Sequence, residues 1–281
     1  MRLSVRHQLR YSYQEKISLN PHTLYLYPKL YPHQRLINYE LEISPEPSKI
    51  IRNTDIEGNI QQIVYFNPEP ADHLVVEAVM SIESLPVNML DFVLFPFSAQ
   101  KLPFQYPIHQ QKYLSPYLIS GSTHPYTEQF ARKIAASVNW QTVPFLVTLA
   151  KHIQTEFSYI KRETGLALPP EETLRLQSGS CRDYVRLFTA ACASLGIASR
   201  FVSGYLFGNE LQQHELHSWA EVFLPGAGWR GFDPTEGTPV VHHHISLGAS
   251  GDFDQLAPVM GSFSGTTTSS LQTSVLLNEL I

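Results

Sequence analysis

Three short segments of this chain hold groups able to share one covalent chemistry. Gly179-Ser180-Cys181-Arg182-Asp183 carries a thiol, His217-Ser218-Trp219-Ala220-Glu221 an imidazole, and Gly231-Phe232-Asp233-Pro234 a carboxylate. A thiol is a useful nucleophile only as the thiolate. A helix N-terminus, with about half a positive charge and free N–H groups, lowers a thiol pKa, and Cys181 stands where a helix is expected to begin. An imidazole can hold the second charge of a thiolate–imidazolium pair and later protonate a leaving amine, while a carboxylate on its far nitrogen fixes tautomer and orientation. Taken singly, each residue has a plainer explanation. A free cysteine is most often a buried structural residue, a histidine in a strand a satisfied one, and an Asp before Pro a turn former. The combination, in this order, is what points to chemistry.

The elements around these residues must bring them together. The helix expected from Cys181 runs through Val185, Phe188, Ala191, Cys192 and Leu195 to a left-handed cap at Gly196. Cys192 falls on its apolar stripe, about 16 Å along the axis from Cys181, so the two cysteines cannot form a disulfide. Strands are expected over 201–206, 216–224 and 229–233, the last two joined as a hairpin by Pro225-Gly226-Ala227-Gly228. Register decides whether the hairpin is useful. Pairing Leu224 with Trp229 puts Asp233 opposite Ala220, on the wrong face for His217; pairing Phe223 with Trp229 puts Asp233 opposite Trp219, diagonal to His217 at about 7 Å between Cα atoms. The second register, or an equivalent bulge, is the expectation.

The rest of the chain supplies a frame. Period-two alternation at Leu3, Val5, His7, Leu9, Tyr11 and Tyr13, then at Leu24 and Leu26, over 36–43, 61–66 and 73–82, with prolines and an Asp55-Ile56-Glu57-Gly58-Asn59 turn between, predicts a β-sandwich over 1–98. Prolines at 96, 103, 107, 116 and 125 predict an irregular connector over 99–124. Helices are expected from Thr123 or Pro125 to Val138, from an N-cap at Thr142 through Phe157, and over 171–176; with the strands that follow, including a weak one near 271–277, they make a second unit over 125–281.

Composition narrows the function classes. The 281 residues are 43% hydrophobic and 16% charged, against roughly 25% charged for an average globular chain, which predicts folded structure. A net charge of −5, without any basic block, argues against nucleic acid as a partner. Residues 74–97, the most apolar stretch, contain Glu77, Glu83, Asp91, Pro86 and Pro96 and are not expected to span a membrane. Met1–Lys16 alternates polar and apolar residues, unlike an export signal, and two cysteines suit a reducing compartment, so a cytoplasmic location is the expectation.

The segments resemble the transglutaminase-like superfamily of papain-related cysteine enzymes, in its bacterial form with an N-terminal β-domain. The similarity is carried by Gly179-Ser180-Cys181-Arg182-Asp183-Tyr184, by Leu195-Gly196-Ile197-Ala198-Ser199-Arg200-Phe201-Val202-Ser203-Gly204-Tyr205, by His217-Ser218-Trp219-Ala220-Glu221-Val222, and by Pro225-Gly226-Ala227-Gly228-Trp229-Arg230-Gly231-Phe232-Asp233-Pro234-Thr235. It covers about 125–250, with a weaker likeness in the N-terminal strands. The resemblance implies an α+β chain: an N-terminal β-sandwich followed by a papain- or transglutaminase-like core of helices packed on an antiparallel sheet. It implies Cys181 as nucleophile, His217 as general acid/base and Asp233 as orienting carboxylate. Two departures stand out. Ser180 replaces a common Val, and Gly248-Ala249-Ser250-Gly251-Asp252-Phe253-Asp254 replaces a Gly-Arg-Asp stretch, so no family role is carried to that loop.

The resulting expectation is a cysteine-dependent hydrolase of amide, peptide or isopeptide bonds acting through a thioester on a peptide or protein. The alternatives are acyl transfer to an amine by a transglutaminase and a non-catalytic peptide-binding module on the same fold. The Cys181 backbone N–H is an expected oxyanion donor and Gln177 a candidate for the second, with a solvated loop residue as its plainer reading. Trp219 and Glu221 share the strand face of His217, one as a shield for the imidazole and the other as a brace for nearby loops. His242, His243 and His244 invite a metal site, but consecutive strand residues point to opposite faces and no carboxylate or Cys lies at zinc spacing; neither a metal nor a cofactor is expected. Oligomeric state is left open.

Overall fold

The computed structural model describes residues 1–118, 124–162, 165–208 and 215–280. The longest early strand is β1 (Arg2–Leu19), where Leu3, Val5, His7 and Leu9 alternate into the interior as their period requires. It is followed by β2 (His22–Leu24), β3 (Gln34–Ser44), β4 (Lys49–Thr54), β5 (Ile60–Tyr65) and β6 (Ala71–Ser84). Strand β6 lies between β1 and β3 in one antiparallel layer, and β5 between β2 and β4 in the other. Leu3, Val5, Val76 and Met80 from the first layer meet Leu24 and Val64 from the second in one core, which is the expected sandwich. The turn at 55–59 is tight because Asp55 Oδ1 accepts from Glu57 N–H at 2.9 Å and Asn59 N–H at 2.8 Å, with Gly58 in a left-handed conformation.

The connector is more regular than its prolines suggest. Residues 108–118 form α1 (Ile108–Leu118) with Pro116 inside it. Pro116 cannot donate to the Lys112 carbonyl, but the Ser115 hydroxyl does so at 3.3 Å, and in the last turn little else is lost. Helix α2 (Pro125–Ser137) is capped by His124; the alternative start at Thr123 lies outside the described residues. Helix α3 (Thr142–Glu156) starts one residue earlier than expected. Its cap is Gln141, and Thr142 turns inward to donate to Ala99 O at 2.6 Å.

The second unit continues with β7 (Ser158–Tyr159), α4 (Pro170–Leu176), β8 (Ser178–Gly179) and α5 (Cys181–Ser194). Then come β9 (Ser199–Leu206), β10 (His217–Leu224), β11 (Gly228–Asp233), β12 (Thr238–Pro239) and β13 (His244–Ser250), in the sheet order β12-β11-β10-β9-β13. Alternation gives this sheet two roles. Ala220, Val222, Leu224 and Phe232 pack with Phe188, Ala191 and Cys192 of α5, while Tyr205, Ile245 and Leu247 join the core of the sandwich. The molecule is therefore layered as helices, sheet and sandwich.

The chain end corrects the expected boundary of the second unit. Strand β14 (Val259–Met260) pairs with β2, and β15 (Phe263–Ser264) and β16 (Ser269–Leu280) both pair with β1. The last strands thus belong to the sandwich, because β16 satisfies an edge of β1 from Arg2 to Tyr13 that would otherwise stand open. A chain ended after Thr268 is expected to lose cooperative folding of the sandwich. Limited proteolysis of residues 1–84 checks this, and a truncated sandwich as resistant as the intact one is the contrary result.

Candidate active site

The start of α5 is built around Asp183. Ser180 is the N-cap, and its N–H and hydroxyl donate to Asp183 Oδ2 at 2.7 and 2.8 Å; Asp183 Oδ1 accepts from Leu168 N–H at 2.6 Å and from Arg162. Ser180 therefore contributes a hydrogen bond that a Val could not. Gly179 fits because a Cβ there would lie 2.8 Å from Asp183 Cβ. The parallel pair β7–β8 holds this corner from the other side, with Ile160 N–H donating to Gly179 O at 2.9 Å. Cys181, the first helical residue, has one of the N–H groups that no carbonyl of the helix can satisfy.

The hairpin adopts the useful register. Ala227 N–H closes the turn on Leu224 O at 2.9 Å, Phe223 pairs with Trp229 and Ala220 with Phe232, so the next step sets Asp233 level with Trp219 on the His217 face. His217 Nε2 then lies 2.6 Å from Asp233 Oδ2, with both side chains buried. The other ring nitrogen, Nδ1, is buried without a hydrogen bond, as is the Ser218 hydroxyl, and both groups act electrostatically on the Cys181 sulfur.

The electrostatics follow from this arrangement. Burial alone would push the Cys181 thiol up, but the nearby imidazole of His217, joined by Ser218 and Arg182, brings it below the ordinary thiol value. His217 loses basicity through burial and regains more from Asp233 and Cys181, ending at about 10. Burial likewise opposes the Asp233 carboxylate, yet His217 and His244 hold its pKa below the usual range. Cys192 is the contrast: burial alone raises its pKa well above that of a free thiol.

The other sequence-derived residues divide. Trp219 is buried with its ring centroid 6.0 Å from that of His217, as a shield would be. Glu221 braces, accepting from Tyr31 OH at 2.7 Å and from Arg200 at 2.7 and 2.9 Å. Gln177 caps α4 in a left-handed conformation; its carbonyl accepts from Ser158 N–H at 2.9 Å, and its side chain is exposed. A cavity of about 840 Å³ lies elsewhere, between the 55–59 turn, the middle of α5 and the 250–256 loop.

Ser218 is not singled out in the sequence, and His244 is weighed there only as a metal ligand; its Nε2 lies 3.0 Å from the same Asp233 oxygen that His217 contacts. Of the three consecutive histidines, only His244 enters β13, and its approach depends on β9 lying between β13 and β10. The three possible ligand atoms of His217, Asp233 and His244 lie within 4.8 Å of one another. The 2.6 and 3.0 Å separations are those of hydrogen bonds from the two imidazoles to one carboxylate oxygen.

Residues 3–83 match the bacterial transglutaminase-like N-terminal region, and residues 128–234 match the transglutaminase-like superfamily. The chain thus carries a transglutaminase-like core preceded by the N-terminal region of the bacterial transglutaminase-like group. It is 26% identical over 280 residues to uncharacterized proteins of Mycobacterium bovis and Mycobacterium tuberculosis, covering 92% of this chain and 87% of each relative. A proposed cysteine protease from Cytophaga hutchinsonii shares its fold, with a TM-score of 0.72 and 15% identity over 100% of this chain and 92% of the other. Among the described residues, no helix is long and apolar enough to cross a membrane.

Proposed function

We propose that this protein is a cysteine-dependent hydrolase of amide, peptide or isopeptide bonds. The observation that carries the reading is the order Cys181, His217, Asp233, with the thiol at a helix start and a 2.6 Å contact between imidazole and carboxylate. In the reaction, the Cys181 thiolate adds to the carbonyl carbon, and the oxyanion forms beside the Cys181 backbone N–H. His217, holding the thiol proton and kept in orientation by Asp233, gives that proton to the leaving amine as the C–N bond breaks. Water then adds to the thioester, its proton passes through His217 to the sulfur, and the carboxylic acid leaves. Both cysteines are free thiols, which suits a reducing compartment such as the cytoplasm.

Alkylation tests the nucleophile. At mildly acidic pH, iodoacetamide is expected to modify Cys181 about tenfold or more faster than a model thiol and to leave Cys192 untouched, because only Cys181 has a partner that stabilises its thiolate. Peptide mass mapping reads both sites. A Cys181 no faster than the model thiol would falsify the hydrolase reading and favour a binding module. Cleavage of a peptide library by the protein but not by Cys181→Ala then identifies the substrate. A glutamine peptide weighed with and without an added amine separates hydrolysis from transfer, since amine incorporation would make the protein a transglutaminase.

A further inference from the structure

Asp233 serves two imidazoles, and only His217 takes part in the steps above. Its Oδ2 receives His217 Nε2 at 2.6 Å and His244 Nε2 at 3.0 Å, while Oδ1 accepts from Thr235 N–H at 2.8 Å and Glu236 N–H at 3.2 Å. His244 is held where it is. Its ring meets Trp219 edge-on at 5.0 Å, and its Nδ1 lies 3.3 Å from Val241 N and 3.2 Å from Val241 O. With a proton on Nε2 the ring donates to Asp233, and Nδ1 meets the Val241 backbone, accepting from its N–H or donating to its carbonyl according to whether it too carries a proton. Gly204 makes the approach possible: it pairs with His217 on one side and Ser246 on the other, and a Cβ there would lie 2.0 Å from Ile245 O and 2.7 Å from the Trp219 ring.

Resting on the function proposed above, we propose that His244 is a positioning residue that acts through Asp233. By donating to Oδ2 it takes a share of the carboxylate charge that would otherwise fall wholly on His217, and so keeps His217 able to release the proton it has taken up. The physical reason is that a buried carboxylate with one donor fewer is a stronger base and grips its remaining imidazolium more tightly. Among the described residues, the other ionisable groups near the rings are Cys181 across His217 and Glu236 beyond β11. His242 and His243 turn toward one another, and His243 toward Phe207.

The consequence falls on the thioester stage. Water can add only if a neutral His217 accepts its proton, with the C–O bond forming, the C–S bond breaking and the proton passing on to sulfur. A ring that holds its proton too tightly leaves the acyl-enzyme standing, although the thiolate that formed it was intact.

The test compares wild type, His244→Phe, which keeps ring volume under Trp219 but has no donor, and His244→Gln, which restores an N–H. Each is acylated with p-nitrophenyl acetate and followed by intact mass, and each is alkylated at Cys181 with iodoacetamide. The expected result is that His244→Phe lengthens the lifetime of acetyl-Cys181 about tenfold, the size of one pKa unit, with alkylation within about threefold of wild type. His244→Gln returns toward the wild-type lifetime. Equal lifetimes in all three proteins overturn the inference, and so does a His244→Phe protein in which alkylation and deacylation fall together, which is what lost packing alone would do. A wild type that forms no acetyl-Cys181 removes the proposed function, and the inference with it.

Discussion

Asp233→Asn is expected to lower turnover by about 10³–10⁴-fold with the fold retained, the size of effect seen when an orienting carboxylate is neutralised in a nucleophile–His–Asp system. Asp233 is wholly buried, and its Oδ2 is the acceptor for His217 Nε2 at 2.6 Å. An amide in its place carries no charge to hold the imidazolium, and whichever way it turns it offers either a donor to a donor or an oxygen shared with His244. His217 then favours the wrong tautomer, and the Cys181 thiolate loses its counter-charge. Turnover of the library-derived peptide and the acid limb of the alkylation profile are expected to fall together. A variant with wild-type alkylation at pH 6 would show that Asp233 does not act on the thiol through His217.

The same pair sets a dependence of stability on pH. His217 is raised from 6.5 to about 10 in the folded protein, so its contribution is complete below about pH 6.5 and is lost as pH rises toward 10. Asp233 is depressed, so its contribution is present above the ordinary carboxylate range and is lost in strong acid. Between these limits the pair stabilises the fold, and in Asp233→Asn both slopes should flatten.

Arg200→Met is expected to cost about 3–5 kcal/mol of unfolding free energy, the price of leaving a buried counter-charge without its partner. Arg200 is almost fully covered, donates to Glu221 at 2.7 and 2.9 Å, approaches Glu57 at 3.7 Å and stacks over the Trp229 ring at 4.1 Å. Met keeps much of the stacked volume and removes the charge. Glu221 is then left with the Tyr31 hydroxyl, and Glu57 with Tyr117 OH at 2.6 Å and Gly251 N–H at 2.8 Å. Tyr31 and Glu57 belong to the sandwich side, Arg200, Glu221 and Gly251 to the core sheet and its following loop, so the loss should loosen the docking of the two units. Urea unfolding measures it. Adding Glu221→Gln should recover part of the loss, since the coupled partners are not independent. By contrast, Arg132→Ala at the exposed pair with Glu128 should change stability by about 0.5 kcal/mol or less.

The contact between units also gives a use to the loop that departs from the Gly-Arg-Asp pattern. Glu57 accepts from Gly251 N–H, and Asn59 makes a strand-like exchange with Ala249, donating to its carbonyl at 2.9 Å and accepting from its N–H at 2.8 Å. Gln34 does the same for Ser246, at 2.9 and 2.8 Å. Side-chain amides of the sandwich thereby close the open edge of β13, which would otherwise expose unpaired backbone groups.

Local order was legible in the sequence. Period-two alternation marked β1 and β6, the apolar stripe and Gly196 bounded α5, and Pro225-Gly226-Ala227-Gly228 located the hairpin that carries His217 toward Asp233. These signals are readable because they depend on neighbours a few residues apart, through strand pleat, helical period and turn chemistry. Pro116 inside α1 misled, since a hydroxyl on the preceding residue could replace the missing donor. Distant pairing was not readable at all. That β16 returns to β1, that Glu57 reaches Arg200, and that His244 arrives on the Asp233 oxygen each rest on partners brought together only when the sheets assemble. Residue types and local spacing were enough to pick out Cys181, His217 and Asp233 as a thiol, an imidazole and a carboxylate, and to place each on its element. What else shares that carboxylate came only from the assembled sheets, because a buried charge is divided among every donor that reaches it, whatever its distance along the chain.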